Sequence, residues 1–348
     1  MQKKPNTPTS PHAQIRTDWL DKRREDILWP DLPIVDPHHH LWDRPGAKYL
    51  FDELREDITS GHNIVGTLFV QCRSMYKQAG DDHYKPVGEV EFANGIAARF
   101  ASGLYGKQRG CAGIIGCADL TLGHGIQPVL ERLIAAGGTR LKGIRNSTAW
   151  HEHEAVRSNP ILPPKNLLID PRFSEGVGCL GKYGLTLDVW AYHTQLPLLH
   201  DLAKNHPNIP IVINHLGGPL GVGPYTDCKK EVFQAWQNDM RRLASLPNTS
   251  VKLGGFGLMV MGHHYYKLAT PPSSDLLAAE WRPYVETLID MFGTKRCMYE
   301  SNFPVDKGMF SYHVLWNAFK KLSLACSQDE VSDLFHETAI RIYDLDLS

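Results

Sequence analysis

Short runs of β-branched and other apolar residues recur along the chain, separated by stretches of helical period and by Gly or Pro. The runs that read as strands are 34–36 (IVD), 64–72 (IVGTLFVQC), 111–120 (CAGIIGCADL), 141–146 (LKGIRN), 185–190 (LTLDVW), 209–217 (IPIVINHLG), 249–256 (TSVKLGGF) and 296–303 (RCMYESNF). Helical patterns fill 89–104, 126–138, 195–206, 231–246 and 277–293. Eight strands alternating with helices predict an α/β protein built as a (β/α)8 TIM barrel. A doubly wound open sheet uses the same alternation, but no G-x-G-x-x-G follows the first strand.

Residues 1–14 are polar and rich in Pro, Ser and Thr, and are predicted to be disordered or wrapped over a neighbouring subunit. Residues 15–28 read as a helical arm with Asp18 as its cap. The chain therefore divides into an N-terminal arm, 1–30, and one barrel domain, 31–348. Two long proline-bearing segments, 147–170 and 257–276, each follow a predicted strand, which places them over the catalytic face as lids or substrate walls. Phe256, Tyr265 and Tyr266 read as an apolar wall for substrate, or equally as cover for the rim or an interface.

Charge and cysteine content narrow the partners. With 37 basic and 38 acidic residues and no long block of one sign, neither nucleic acid nor an acidic membrane surface is an expected partner, and a small-molecule substrate is. The seven cysteines are scattered without a C-x-x-C pair, which indicates reduced thiols and a cytoplasmic location. The N-terminal stretch lacks the apolar core of a secretory signal, and no run is long enough to span a bilayer.

Histidines carry the chemical signal. In Asp36-Pro37-His38-His39-His40-Leu41-Trp42-Asp43 the pleat puts His38 and His40 on one face, a spacing that suits a divalent transition metal. His193 lies just after the fifth strand and His215 ends the sixth; alone each is an ordinary polar residue, but together they bring four imidazoles to the strand ends. On the last strand Glu300 and Asn302 share parity. Glu300 could ligate metal or act as a base, or pair with a buried cation such as Lys142 or Arg145. Arg145 offers a planar fork for a substrate carboxylate, or a salt bridge at the rim.

At these residues the chain resembles the amidohydrolase superfamily, in the amidohydrolase-related branch that contains lactonases. VDPHHHLWD, KGIR, INHLGGP and ESNFPVD match in order across 30–345. The resemblance implies a (β/α)8 barrel with a metal at the strand C-termini, zinc first and iron or manganese as alternatives. It makes His38, His40, His193, His215 and Glu300 the candidate ligands, and Glu300, Asn302 and Arg145 the catalytic candidates. Gln71, Arg73, Asn146 and Tyr266 are left as substrate contacts. Three positions depart from the branch: Asn302 stands where many members carry Asp, Gln71 where relatives carry Glu, and Asn146 where they carry His. The implied activity is hydrolysis of a lactone, ester or amide of a small carboxylate. The branch is also similar to amidohydrolase-fold monooxygenases with dinuclear iron or iron/manganese centres. On that reading the chain is a catalytic or ligand-poor subunit paired with a homologue, in place of a homo-oligomer.

Overall fold

The computed structural model describes residues 11–348. Eight parallel strands form one sheet in chain order: β1 (Ile34–His39), β2 (Ile64–Val70), β3 (Arg109–Gly116), β4 (Leu141–Ser147), β5 (Thr186–Trp190), β6 (Ile211–Ile213), β7 (Thr249–Leu253) and β8 (Cys297–Tyr299). Just beyond the ends of β1 and β8 the sheet meets itself. The His40 amide donates to the Phe303 carbonyl at 2.7 Å, and the Asn302 amide to that of His38 at 2.9 Å. A helix follows each strand: α1 (Phe51–Ile58), α2 (Val87–Ala101), α3 (Gln127–Gly137), α4 (Pro171–Leu180), α5 (Leu196–Asn205), α6 (Lys229–Ala244), α7 (Ser274–Phe292) and α8 (Tyr312–Leu322). This is the (β/α)8 barrel that the alternation predicts.

Strands covered on both faces are apolar throughout, and parity decides which layer each side chain joins. Ile34, Phe69, Ile114, Ile144 and Leu187 face the helices, whereas Val35, Leu68, Val70, Ile115 and Val212 fill the barrel interior. Tyr343 and Leu345 from the C-terminal segment pack into that inner cluster and close the end from which the strands start. The open end is therefore the C-terminal one.

Local signals set the helix starts. The Asp170 side chain accepts from the Arg172 and Phe173 amides at 2.8 and 3.4 Å, and Pro171 opens α4. Asp170→Ala is expected to cost about 1 kcal/mol, read as a lower urea midpoint at unchanged slope.

Three expectations change. The arm at 15–28 is helical only over Thr17–Leu20, because its start at Arg16 has no side-chain cap and its polar groups bond to the barrel instead. Of the segment 1–14, residues 1–10 lie outside the described residues; 11–14 run against this chain's own barrel, Ala13 packing on Gly308. Several strands also end earlier than the apolar runs do. Beyond β6 and β8 the backbone turns left-handed at His215 (φ 51°) and Asn302 (φ 55°), which takes those residues out of the sheet. Among the described residues no helix is long and apolar enough to cross a membrane.

Candidate active site

A cavity of about 420 Å³ opens at the C-terminal ends of the strands. Its lining includes His40, Gln71, Arg73, Arg145, Asn146, His215 and Asn302, with 158–164 of the long segment after β4 forming one wall.

Beneath this cavity His38, His215 and Glu300 converge, all of them buried. The His215 ring donates through Nδ1 to Glu300 Oε1 at 2.7 Å, and its backbone amide reaches the same oxygen at 3.1 Å. His38 Nδ1 lies 2.7 Å from Glu300 Oε2, yet neither of these two atoms makes a hydrogen bond. The approach is close while the angles are wrong for a bond, so two buried polar atoms face each other unsatisfied. Two glycines after β7 make room: a Cβ on Gly255 would lie 2.6 Å from that of His215, and one on Gly254 would overlap Glu300. Gly255 also needs its positive φ of 75° to make that turn.

Arg145 reaches across from β4. Its Nη1 stands 3.1 Å from His38 Nε2, and its Nη2 donates to the Gln71 carbonyl. A guanidinium only donates, so His38 accepts at Nε2 and its neutral ring carries the proton on Nδ1. On the next turn of the pleat, His40 donates from Nδ1 to the Val70 carbonyl at 2.7 Å, which leaves Nε2 as its acceptor. Burial holds both rings well below the usual imidazole range, reinforced at His38 first by Lys252 and at His40 first by Arg145. His39 points the other way, its Nε2 against Thr67 Oγ1 at 2.8 Å, as the alternation requires.

Asn302 borders the cavity and donates from Nδ2 to Asp306 Oδ1 at 2.8 Å; the other Asp306 oxygen takes the Gly257 amide at 2.8 Å. Burial raises the Asp306 carboxyl well above the usual range. Its role is to hold the loop after β8 so that Asn302 faces the site. Arg73 also stands in the left-handed region, at φ 64°. With His215 and Asn302 that makes three non-glycine cavity residues held in costly backbone geometry, which concentrates at functional sites.

The remaining sequence candidates fall apart from the cluster. His193 is buried, but its Nδ1 accepts from the Leu220 amide at 3.3 Å and its ring packs edge-on against Tyr225. Tyr266 does not border this cavity; its carbonyl receives the Arg16 guanidinium and its ring meets His264. Lys142 is not a partner of Glu300. It lies at the opposite end of β4, bonded to the Asp344 carbonyl, because it starts the strand while Arg145 nears its end. Sequence reasoning missed the Gly254-Gly255 pair, although adjacent glycines directly after a strand are a signal of close approach. It also missed the Asp188–Lys252 pair under the site.

The family profile described as amidohydrolase matches residues 35–345. The chain belongs to the amidohydrolase family. Among curated relatives, an uncharacterized protein (y4mH) from Sinorhizobium fredii is 30% identical over 327 residues, covering 90% of this chain and 99% of the relative. An L-fucono-1,5-lactonase from Burkholderia multivorans is 26% identical over 312 residues, covering 89% and 96%. Among solved structures, an amidohydrolase from Burkholderia multivorans with bound zinc superposes with a TM-score of 0.69 at 23% identity, covering 90% of this chain and 99% of that one. That likeness concerns the fold. Within this amidohydrolase, Glu300 and Asn302 are what the geometry brings to the end of the last strand.

Proposed function

We propose that this amidohydrolase is a metal-dependent hydrolase that opens the lactone, ester or amide bond of a small carboxylate, a sugar-acid lactone being the first substrate to try. The observation that carries the reading is the buried His38–His215–Glu300 group directly beneath a cavity lined by Arg44, Arg73 and Arg145. The cations suit an anionic substrate, and the lactonase relative supplies the bond class.

The donor set fits one divalent ion. One ligand atom each from His38, His215 and Glu300 gathers within 4.8 Å, and the unsatisfied His38 Nδ1 and Glu300 Oε2 are among the atoms there. Zinc is the first candidate, as in the zinc-bound neighbour, with iron and manganese as alternatives. When bound, such an ion brings the pKa of a water toward ~7 and polarises a carbonyl. A neutral imidazole has one lone pair, so His38 cannot ligate through Nδ1 while it accepts from Arg145 at Nε2. Ligation through His38 Nδ1 would therefore require that ring to give up its contact with Arg145, whose fork would then suit a substrate carboxylate. The His40 Nε2 lone pair can hold a water or a substrate hydroxyl. Asn302 donates one amide hydrogen to Asp306 and cannot take up a proton, so it orients substrate while Glu300 or His40 moves the proton.

The Arg145–His38 contact itself favours a second reading, a hydrolase that works without metal. There Glu300 and its two imidazoles serve as the base that draws a proton from water. The oxygen-activating alternative rests on resemblance alone. Among the described residues one three-residue group gathers, and a dinuclear centre takes more donors than that.

The deciding experiment uses protein purified without a metal-chelating tag. Its metals are measured by mass spectrometry, and L-fucono-1,5-lactone, D-glucono-1,5-lactone and D-glucaro-1,4-lactone are assayed before and after chelation. About one ion per chain is expected, with lactone opening that disappears on chelation and in His38→Ala. Turnover that survives in metal-free protein transfers the reading to the second mechanism. Failure to open any of the lactones sinks the lactone class.

A further inference from the structure

The turn after β2 carries two non-glycine residues in the left-handed region, Arg73 at φ 64° and Met75 at φ 54°. Such backbone persists only where its surroundings hold it. Both amides that flank Arg73, those of Cys72 and Ser74, donate to one carboxylate oxygen, Oε1 of Glu89, at 2.8 Å each. Glu89 is wholly buried in the first turn of α2, where the unpaired amides of a helix start favour a negative charge. The residue before it, Gly88, lets the turn sit directly on α2, because a Cβ there would lie 2.5 Å from the Met75 carbonyl oxygen. Burial pushes the Glu89 carboxyl up to about 7, against the pull of those two amides and of Arg145.

The carbonyls of the same turn hold the cations of the cavity. Arg145 donates to the Gln71 carbonyl, and Arg44 to that of Cys72 at 2.8 Å. Arg73 itself is exposed and borders the cavity beside them. Three consecutive residues, Gln71 to Arg73, thus set the positions of three guanidinium groups, two through carbonyls and one as a side chain of the turn. Glu89 is not part of the cavity lining. It fixes the peptide planes from behind and touches no substrate. A carboxylate suits that place, since one oxygen takes two amides at once and its charge offsets part of the positive charge gathered at the mouth.

We infer that Glu89 is a positioning residue for substrate recognition: it holds the 71–75 turn so that Arg44, Arg73 and Arg145 present their charges to an anionic group of the bound molecule. The inference rests on the reading of the cavity as a site for a small carboxylate, and it is independent of which bond is broken there. Without the carboxylate, the Cys72 and Ser74 amides lose their acceptor, and Arg73 relaxes out of the left-handed region. Its side chain then turns away from the mouth, and the carbonyls that hold Arg44 and Arg145 shift with it. Glu89 bonds to the turn and to none of His38, His215 and Glu300, so the loss falls on binding rather than on turnover.

The test uses the full chain and isothermal calorimetry with citrate, D-gluconate and the uncharged D-gluconamide. Glu89→Ala is expected to weaken both anions about tenfold, the loss of roughly one charge-assisted contact, and D-gluconamide by less than about twofold. Glu89→Gln keeps an oxygen for the two amides and recovers most of that loss. Arg73→Ala weakens the anions by a similar factor, and Glu89→Ala/Arg73→Ala by less than the product of the two, because one acts through the other. In turnover, Glu89→Ala raises KM about tenfold for D-glucaro-1,4-lactone, which carries a carboxylate, while kcat stays within about threefold. For D-glucono-1,5-lactone, which is uncharged, both constants stay within about threefold. If Glu89→Ala does not fold, Glu89→Asp, whose oxygens are drawn back by one methylene, replaces it in every comparison. Equal losses on charged and uncharged probes mark Glu89 as a clamp for folding alone and overturn the inference, as do unchanged affinities. Failure of the wild type to bind either anion overturns it as well. If no lactone is opened the hydrolase reading fails, while calorimetry still decides the role of Glu89.

Discussion

Replacing Glu300 by glutamine lowers turnover on any substrate that the wild type opens by about a thousandfold, the range that loss of a positioned acid–base group produces. Glu300 is the one carboxylate in its cluster, wholly buried, and it takes two N–H donors from His215 on a single oxygen. A glutamine can keep that oxygen, but its NH2 then faces His38 Nδ1, which carries a proton whenever Arg145 occupies Nε2. Donor meets donor, and the negative charge that would draw either a metal ion or a proton is gone. Because a neutral amide costs less to bury than a carboxylate, folding is retained, as near-ultraviolet circular dichroism should show. Metal analysis of the same preparation separates the mechanisms: loss of bound ion together with activity points to ligation, and loss of activity with no ion in either protein points to a base. Activity within tenfold of wild type would remove Glu300 from the chemistry altogether.

The second large effect concerns stability. Lys252→Met is expected to cost about 3–5 kcal/mol in urea unfolding, the usual consequence of leaving one member of a buried pair without its partner. Lys252 on β7 and Asp188 on β5 are both fully buried and meet at 2.8 Å inside the barrel. Lys252 also donates to the Pro37 carbonyl at 2.9 Å, next to His38, so the pair sits directly below the site. Asn214 and Tyr343 each donate to Asp188, at 3.0 and 2.9 Å for its Oδ2, and these bonds remain in the variant. They soften the loss but cannot supply the charge. Restoring neutrality with Lys252→Met/Asp188→Leu should recover most of the stability, since an apolar pair of similar volume is often no worse than a buried ion pair. A single variant within about 1 kcal/mol of wild type would show that the amide and hydroxyl donors alone satisfy Asp188.

What was legible in the chain follows the range of the interactions. The strands at 34–36, 141–146 and 249–256 were readable because a β-branched run bounded by Gly or Pro specifies extended backbone locally. The pleat then put His38 and His40 on one face without further information. The same parity rule misled where a strand stops. His215 and Asn302 read as continuing their runs, yet both leave the sheet in left-handed backbone, held by contacts with Gly255 after β7 and with Asp306 in the loop after β8. His193 has the right residue type near the end of a strand, but the turn after β5 aims it at Leu220 and Tyr225.

By itself, then, the sequence determined the barrel, the end that carries chemistry, and the set of histidines from which a site would be drawn. Periodicity and turn residues act over a few positions, and they suffice for that. Tertiary structure decided which of those groups meet. Glu300 joins His38 and His215 rather than Lys142 because closure of the sheet sets the end of β8 beside β1, and Gly254 and Gly255 after β7 leave room for Glu300 and His215. His12 comes to border the cavity because the segment that follows it bonds to residues about 250 positions away. Contacts of that separation depend on how the whole chain is laid out in space, which no short window of sequence encodes.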